Sequence, residues 1–424
     1  MLLGKAFENG DELQAATRSL RRAVAADDRH ALAHAYLGET LSRQGQHDSG
    51  HWHRRRAVEL APTDARVAFT CKDLRRYDPC DAQASAIAER LDAGHYPPED
   101  RPMACLALAK MRRDGGDLAA SAALIVEANE QVANSLAESG RSYNRAAADA
   151  RAEHLERSFA DCRLPTGGNA SHRHLLLMGA PRSGKTLLET RLAPHAEVAA
   201  GGESRLGVVL NGIRKQAGDA THWKESDPKA DLGAALAELA RNSGGTIRTS
   251  TIHKNVWKAG LIVGVAPSTL AVSVERDPRD LLLACYEQRL MDQHGWSFTV
   301  DGLVHYLSTH LRLVELWERV LPGGLLRVRY EDLVTDPEAV VARVLTHAGL
   351  EWDEACRVAS SEIPEDFSVD PTVNGAMGAP VHPGYIGAWE AYAEHLPELF
   401  DAIEEARLLD RVVPRMSEAA QATP

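Results

Sequence analysis

The sequence predicts a multidomain chain in which an all-α array of helical repeats precedes an α/β domain built on a parallel sheet. Three observations predict it. The first 160 residues or so read as helix with an internal period. A stretch rich in Pro, Gly, Ser and Asn, DCRLPTGGNASH at 161–172, breaks that pattern, and short apolar runs then alternate with helical segments. At 424 residues the chain exceeds what one hydrophobic core organises. Pattern alone sets a helical domain at 1–160, a linker at 161–172, an α/β domain at 173–415 and a tail at 416–424.

In the helical half, Arg21-Arg22-Ala23-Val24 recurs as Arg55-Arg56-Ala57-Val58, and Leu3-Gly4 recurs as Leu37-Gly38. Both offsets are 34 residues, the tetratricopeptide period. The copy from Ala33 to Pro62 puts Gly38, Gly50 and Ala57 where paired helices must approach closely, and it closes on a proline. Such a pair cannot bury its apolar face alone and stacks on its neighbour, leaving a concave groove. A looser unit covers 103–130, and 75–101 has lost the pattern. The groove suits a peptide or acceptor, a homodimer or other protein partner, or a brace for the second domain. Arg54-Arg55-Arg56 reads as a solvated face.

Composition narrows the class. A net charge of −12 repels polyanions, which argues against nucleic acid as a partner. No run of 18 apolar residues exists and the start, MLLGKAFENGDE, lacks the zones of a signal peptide, so the expectation is a soluble, cytoplasmic protein with no membrane association. Six cysteines without C-x-x-C pairing read as reduced, mostly buried thiols.

In the second half, strands are expected at Leu175–Met178, Thr246–Thr251, Leu270–Glu275 and Leu325–Tyr330, with an amphipathic helix at Leu303–Leu321. Ligands of such sheets bind at the carboxyl ends of the strands. The first strand runs through a glycine turn, Gly179–Gly184, into a helix at Lys185–Leu192. Backbone N–H groups and the positive end of the helix dipole converge there, so a phosphate satisfies donors that the helix leaves unpaired. Gly179-Ala-Pro-Arg-Ser-Gly-Lys-Thr186 also meets the Walker A (P-loop) spacing, G-x-x-x-x-G-K-[ST], in the strand-to-helix setting that this motif requires.

From residue 170 onward the chain resembles the sulfotransferase superfamily, in particular bacterial proteins that carry tetratricopeptide repeats ahead of a sulfotransferase domain. The landmarks are Gly179-Ala-Pro-Arg-Ser-Gly184, Gly201-Gly202-Glu203, Glu275-Arg276-Asp-Pro-Arg-Asp280, Arg329-Tyr330-Glu331-Asp332-Leu333, and the tail from Pro380-Val381 to Gly387-Ala388-Trp389. The resemblance implies a transferase that moves a sulfuryl group from 3′-phosphoadenosine-5′-phosphosulfate to a hydroxyl or amine of an acceptor, small molecule or peptide. It implies that Gly179, Pro181, Arg182, Ser183, Gly184, Lys185, Thr186 and Leu187 hold the 5′ end of the donor and Arg276 the 3′ phosphate, where the other reading of Arg276 is an ion pair with a nearby acid. Arg182 then faces the bridging oxygen, where leaving-group charge develops. Glu203 lies 21 residues after Arg182, a spacing like that of the catalytic glutamate of tyrosylprotein sulfotransferases. It is taken as the general base; a cap or hinge carboxylate is its other reading. Lys254 is implied as a ligand of the sulfuryl oxygens, with His253 as the second candidate base.

Three departures keep other classes open. The family's Thr-Thr is Lys185-Thr186 here, its 3′-phosphate serine is Ala284, and its basic residue before the tryptophan is Ala388. A phosphotransferase using ATP with Mg²⁺ is the first alternative: Lys185 reaches the β and γ phosphates, Thr186 is the metal ligand, and Glu275 or Asp277 is the second carboxylate. Otherwise no metal is expected. A catalytically silent binding protein whose repeats carry the function is the second alternative. The segment Asp370–Pro383 is read as a lid, and Leu303, Tyr306 and Trp317 as core.

Overall fold

The computed structural model describes residues 10–164, 166, 173–202, 247–290, 292–357 and 383–416. Glu203, the Leu3-Gly4 copy and nearly all of the 370–383 segment lie outside the described residues.

Among the described residues, eight helices fill the first half: α1 (Gly10–Ala26), α2 (Ala31–Arg43), α3 (His47–Leu60), α4 (Ala65–Cys71), α5 (Ala82–Asp92), α6 (Arg101–Asp114), α7 (Leu118–Glu138) and α8 (Arg145–Ser158). Their starts are written in the sequence. Asp64, Asp81, Asp117 and Asn144 each accept a hydrogen bond from an N–H of the first turn, a cap worth about 1 kcal/mol. Between α2 and α3 the two backbones touch. A Cβ on Gly38 would stand 2.6 Å from the Gly50 carbonyl oxygen, and one on Gly50 2.7 Å from that of Gly38. Ala57, the third small residue of the pair, is fully buried. Arg54 departs from the expected solvated face: it is buried against Gly38 and donates to the Thr70 carbonyl at 3.2 Å, because its aliphatic stem fills the groove that the glycine leaves.

The second half holds a parallel sheet of five strands in the order β2-β3-β1-β4-β5. These are β1 (Arg173–Met178), β2 (Val198–Ala199), β3 (Ile247–Ser250), β4 (Leu270–Glu275) and β5 (Leu325–Arg329). Helix α9 (Lys185–Leu192) follows β1, α10 (Ala259–Val265) and α11 (Pro278–Tyr286) flank β4, and α12 (Val300–Val320) leads to β5. Beyond it come α13 (Tyr330–Thr335), α14 (Pro337–His347) and α15 (Pro397–Glu405). Because helices cover both faces, β1 is apolar on both. Leu175 and Leu177 pack with Leu188, Val341 and Val344 of α9 and α14; Leu176 and Met178 pack with Ile262, Val314 and Trp317 of α10 and α12. The register staggers the carboxyl ends: β3 stops opposite Leu176, and β4 runs on to Glu275 beyond Ser273, the partner of Met178.

A further apolar cluster crosses between the halves. Leu106, Met111 and Ile125 of α6 and α7 share it with Leu282 and Tyr286 of α11, Leu307 of α12 and Ile403 of α15. Leu303 and Trp317 are fully buried, as expected of core, and the Tyr306 ring stacks on Trp296 at 3.7 Å. Among the described residues no helix is long and apolar enough to cross a membrane.

Candidate functional site

The chain leaves β1 toward the β3 side of the sheet and leaves β4 toward the β5 side, so the end of β1 is the topological switch point. The glycine turn sits there. Gly184 takes φ +96°, and a Cβ on it would stand 2.5 Å from Cδ2 of Tyr330, the first residue after β5. Only glycine meets both demands. Arg182 also takes a left-handed conformation, φ +68°, a strain of about 1 kcal/mol that a non-glycine residue accepts where the surroundings enforce it. The buried Lys185 ammonium curls back over the turn and donates to the carbonyls of Gly179 at 2.8 Å and Ala180 at 2.9 Å. Ser183 Oγ is buried with no hydrogen-bond partner among the described residues. Thr186 is exposed, Leu187 is core, and the Pro181 carbonyl accepts from Cys285 Sγ at 3.5 Å. Burial pushes the Cys285 thiol up to about 12, so it is no thiolate nucleophile.

Arg276 follows β4 and reaches the same turn. Its guanidinium donates to the carbonyls of Arg182 at 3.2 Å and Tyr385 at 2.7 Å and lies over the Tyr330 ring, 4.7 Å from the centroid. Its Nε is buried and unpartnered among the described residues. Among the described residues no acid forms an ion pair with it. Two carboxylates build its surroundings instead. Glu331 accepts from the Asp277 N–H at 2.7 Å and from Arg329 Nε at 2.6 Å, which ties the end of β4 to the end of β5. Asp280 accepts from the N–H groups of Gly387 and Trp389 at 2.8 and 3.0 Å, pinning the tail beside Arg276; burial raises this carboxyl above its usual range despite those donors.

On the other side of the turn, Glu189 of α9 is buried and accepts from the N–H groups of Gly201 at 3.3 Å and Gly202 at 2.9 Å and from the Thr249 hydroxyl. Burial raises its pKa above the ordinary carboxylate value, against these three donors. The stretch that enters Glu203 is thus clamped to α9 and β3.

His253 follows β3. Its ring meets His294 edge to face at 4.9 Å, and His294 meets Trp296 at 5.8 Å. Burial first, then His294 and Lys185, lower His253 to about 3; burial and Lys254 lower His294 to about 4. Both imidazoles are neutral at pH 7. Lys254 is exposed at the same strand end. His310 Nδ1 is buried without a partner among the described residues, and burial with Lys185 lowers that ring to about 3.

The structure thus gathers Gly179, Pro181, Arg182, Ser183, Gly184, Lys185 and Arg276 at one point, with His253 within electrostatic reach. Glu275 and Asp277 are both engaged: Arg327 bonds both Glu275 oxygens at 2.6 and 2.9 Å, and Arg279 both Asp277 oxygens at 3.0 and 2.6 Å. Glu189, His294 and Gln288, whose Oε1 accepts from Arg182 Nη2 at 3.5 Å, lie outside every motif of the sequence, whereas Asp280 closes the string Glu275–Asp280 with no role assigned to it there. The signal for Glu189 was its place four residues after Lys185, one helical turn along the same face. Tyr330 and Glu331 also stand inside a landmark string, and only the fold shows that they pack against the glycine turn and hold the end of β4 beside Arg276.

A sequence model described as the sulfotransferase family matches residues 175–354. The chain is similar to an uncharacterized protein of Aquifex aeolicus, 22% identical over 81% of this chain and 48% of that protein. It therefore spans about half the length of that relative. It is also similar to protein-tyrosine sulfotransferase A of Caenorhabditis elegans, 24% identical over 65% of this chain and 74% of that protein. Among solved structures, the sulfotransferase domain of the Synechococcus olefin synthase overlaps 59% of this chain and all of that domain at 18% identity, with a TM-score of 0.39. That overlap is too loose to support comparison of individual residues.

Proposed function

We propose that the chain is a sulfotransferase that moves a sulfuryl group from 3′-phosphoadenosine-5′-phosphosulfate to a hydroxyl or amine acceptor. What carries the reading is the pair of buried donors without a partner among the described residues, Ser183 Oγ and Arg276 Nε, around a turn whose glycines leave no room for side chains, inside the segment matched by the sulfotransferase family model. Buried donors without partners cost about 1–3 kcal/mol each, a cost that a bound anion removes. The donor supplies an activated sulfur–oxygen bond at its 5′ end. Ser183, the turn N–H groups and Lys185 hold that end, Arg276 holds the 3′ phosphate, and Arg182 neutralises charge on the bridging oxygen as its bond to sulfur breaks. Glu203 takes the proton from the acceptor as the new bond to sulfur forms, and Lys254 screens the sulfuryl oxygens. His253 is the weaker base of the two, because a pKa near 3 leaves its nitrogen little proton affinity at neutral pH.

The ATP reading loses its second metal ligand, since Glu275 and Asp277 already serve arginines. Calorimetry decides the donor class: adenosine 3′,5′-bisphosphate should bind without metal, and Mg²⁺-dependent ATP binding with no bisphosphate binding overturns the proposal. For the base, Glu203→Gln should abolish turnover and leave bisphosphate affinity within about twofold, since uncharged glutamine cannot accept the proton. Full activity in that variant moves the base elsewhere. A likeness to tyrosylprotein sulfotransferases with a small molecule or peptide as acceptor, tetratricopeptide repeats in the helical half and a cytoplasmic site of action belong to the same reading.

A further inference from the structure

Four consecutive residues at the end of α11 connect the helical half to the phosphate turn. Cys285 Sγ donates to the Pro181 carbonyl at 3.5 Å, and Gln288 Oε1 accepts from Arg182 Nη2 at 3.5 Å. The two residues between them are held from the opposite side. Asn129 of α7, itself buried, donates to the Tyr286 carbonyl at 2.8 Å, and Arg113 of α6 bonds both Glu287 oxygens at 2.9 and 3.0 Å. Ser121 of α7 pairs its hydroxyl with that of Tyr392 at 2.8 Å, in the segment that Asp280 pins beside Arg276. Helix α11 has few ways to shift under these constraints, because its apolar face lies in the cluster shared with α6 and α7.

We propose that Arg113 and Asn129 are positioning residues for Arg182, so that the helical half is a working part of the nucleotide site rather than a separate module. The inference rests on the sulfotransferase reading, in which Arg182 faces the 5′ end of the nucleotide. The path is short: α6 and α7 hold residues 286 and 287, these fix the backbone of Gln288, and Gln288 orients a guanidinium whose backbone is already in a strained left-handed turn. The path ends on the Arg182 guanidinium and so acts on the 5′ end, not on the Arg182 carbonyl that Arg276 uses. Arg276, on the 3′ side, is held by the carbonyls of Arg182 and Tyr385 and by the Tyr330 ring.

Calorimetry on the full chain tests this without knowledge of the acceptor. Arg113→Ala should weaken adenosine 3′,5′-bisphosphate about fivefold, leave adenosine 3′-monophosphate unchanged, and have no further effect in an Arg182→Ala background. The charge-swapped pair, Arg113→Glu with Glu287→Arg, should restore most of the affinity. Gln288→Ala, which touches no buried ion pair, should reproduce the fivefold loss and keeps the test open where Arg113→Ala unfolds the protein. Equal losses for both nucleotides, or additive losses in the double variant, overturn the inference while leaving the sulfotransferase reading intact. A wild-type protein that binds neither nucleotide overturns both.

Discussion

Two places in this molecule are built on glycine pairs, and they use them oppositely. At Gly38 and Gly50 the missing side chains let two helices touch, both residues keep helical backbone, and the gap is filled by the buried stem of Arg54. At Gly179 and Gly184 the φ angles are +154° and +96°, the neighbouring Arg182 is left-handed too, and Ser183 Oγ and Arg276 Nε have no partner among the described residues. The first is a packing solution; the second is the strained turn that the proposed function takes as the nucleotide cradle. Glycine spacing cannot separate these cases, but backbone angle together with orphaned polar atoms can.

The largest effect that sharpens the contrast is expected from Gly184→Ala. The new Cβ meets the Tyr330 ring and the φ is unfavourable, so the turn must deform. Losing two charge-assisted hydrogen bonds of about 1.5 kcal/mol each weakens adenosine 3′,5′-bisphosphate by roughly 100-fold, read by calorimetry. Affinity kept within twofold removes the turn as the nucleotide cradle. Gly38→Ala is the counterpart. It forces α2 and α3 apart and should lower stability by about 1–3 kcal/mol in urea unfolding, with nucleotide affinity unchanged. A Gly38→Ala protein with weakened nucleotide binding breaks the distinction.

A smaller effect is expected at the clamp. Glu189→Leu removes the one oxygen, Oε1, that accepts from the N–H groups of Gly201 and Gly202 and from the Thr249 hydroxyl. The stretch entering Glu203 then loses its anchor, and turnover should fall about tenfold while bisphosphate affinity stays within twofold. Parallel losses in both quantities show that Glu189 supports α9 rather than the Glu203 stretch.

Most of the fold was legible because the sheet is written in local signals. Apolar runs marked β1, β4 and β5 nearly residue for residue, and the expected strand at 246–251 is observed at 247–250. The glycine turn between β1 and α9 was legible for the same reason, since strand, glycines and helix are contiguous. What was hidden depends on distant segments. Arg54 looked solvent-facing because nothing local announces the groove opposite Gly38. Glu275 looked available to a metal until β5 brought Arg327 beside it, 52 residues further along the chain. His294 carries no motif at all, and meets His253 only because the segment after α11 folds back toward the end of β3.

Those histidines supply the last test, because buried neutral rings leave a mark on stability. Burial is the main cause of depression in His253, His294 and His310, to about 3, 4 and 3. Their folded values lie below the ordinary 6.5, so the unfolded chain takes up protons first as pH falls. The stability they contribute is therefore full above about pH 6.5 and declines from there toward pH 4, by up to about 1.4 kcal/mol per pH unit for each ring. Urea midpoints measured from pH 7.5 to 4.5 should show that decline, and His253→Asn should flatten it while leaving the midpoint at pH 7.5 within the range of a tolerated substitution. A slope unaffected by His253→Asn places that ring in contact with water, and with it the strand end that the second candidate base occupies.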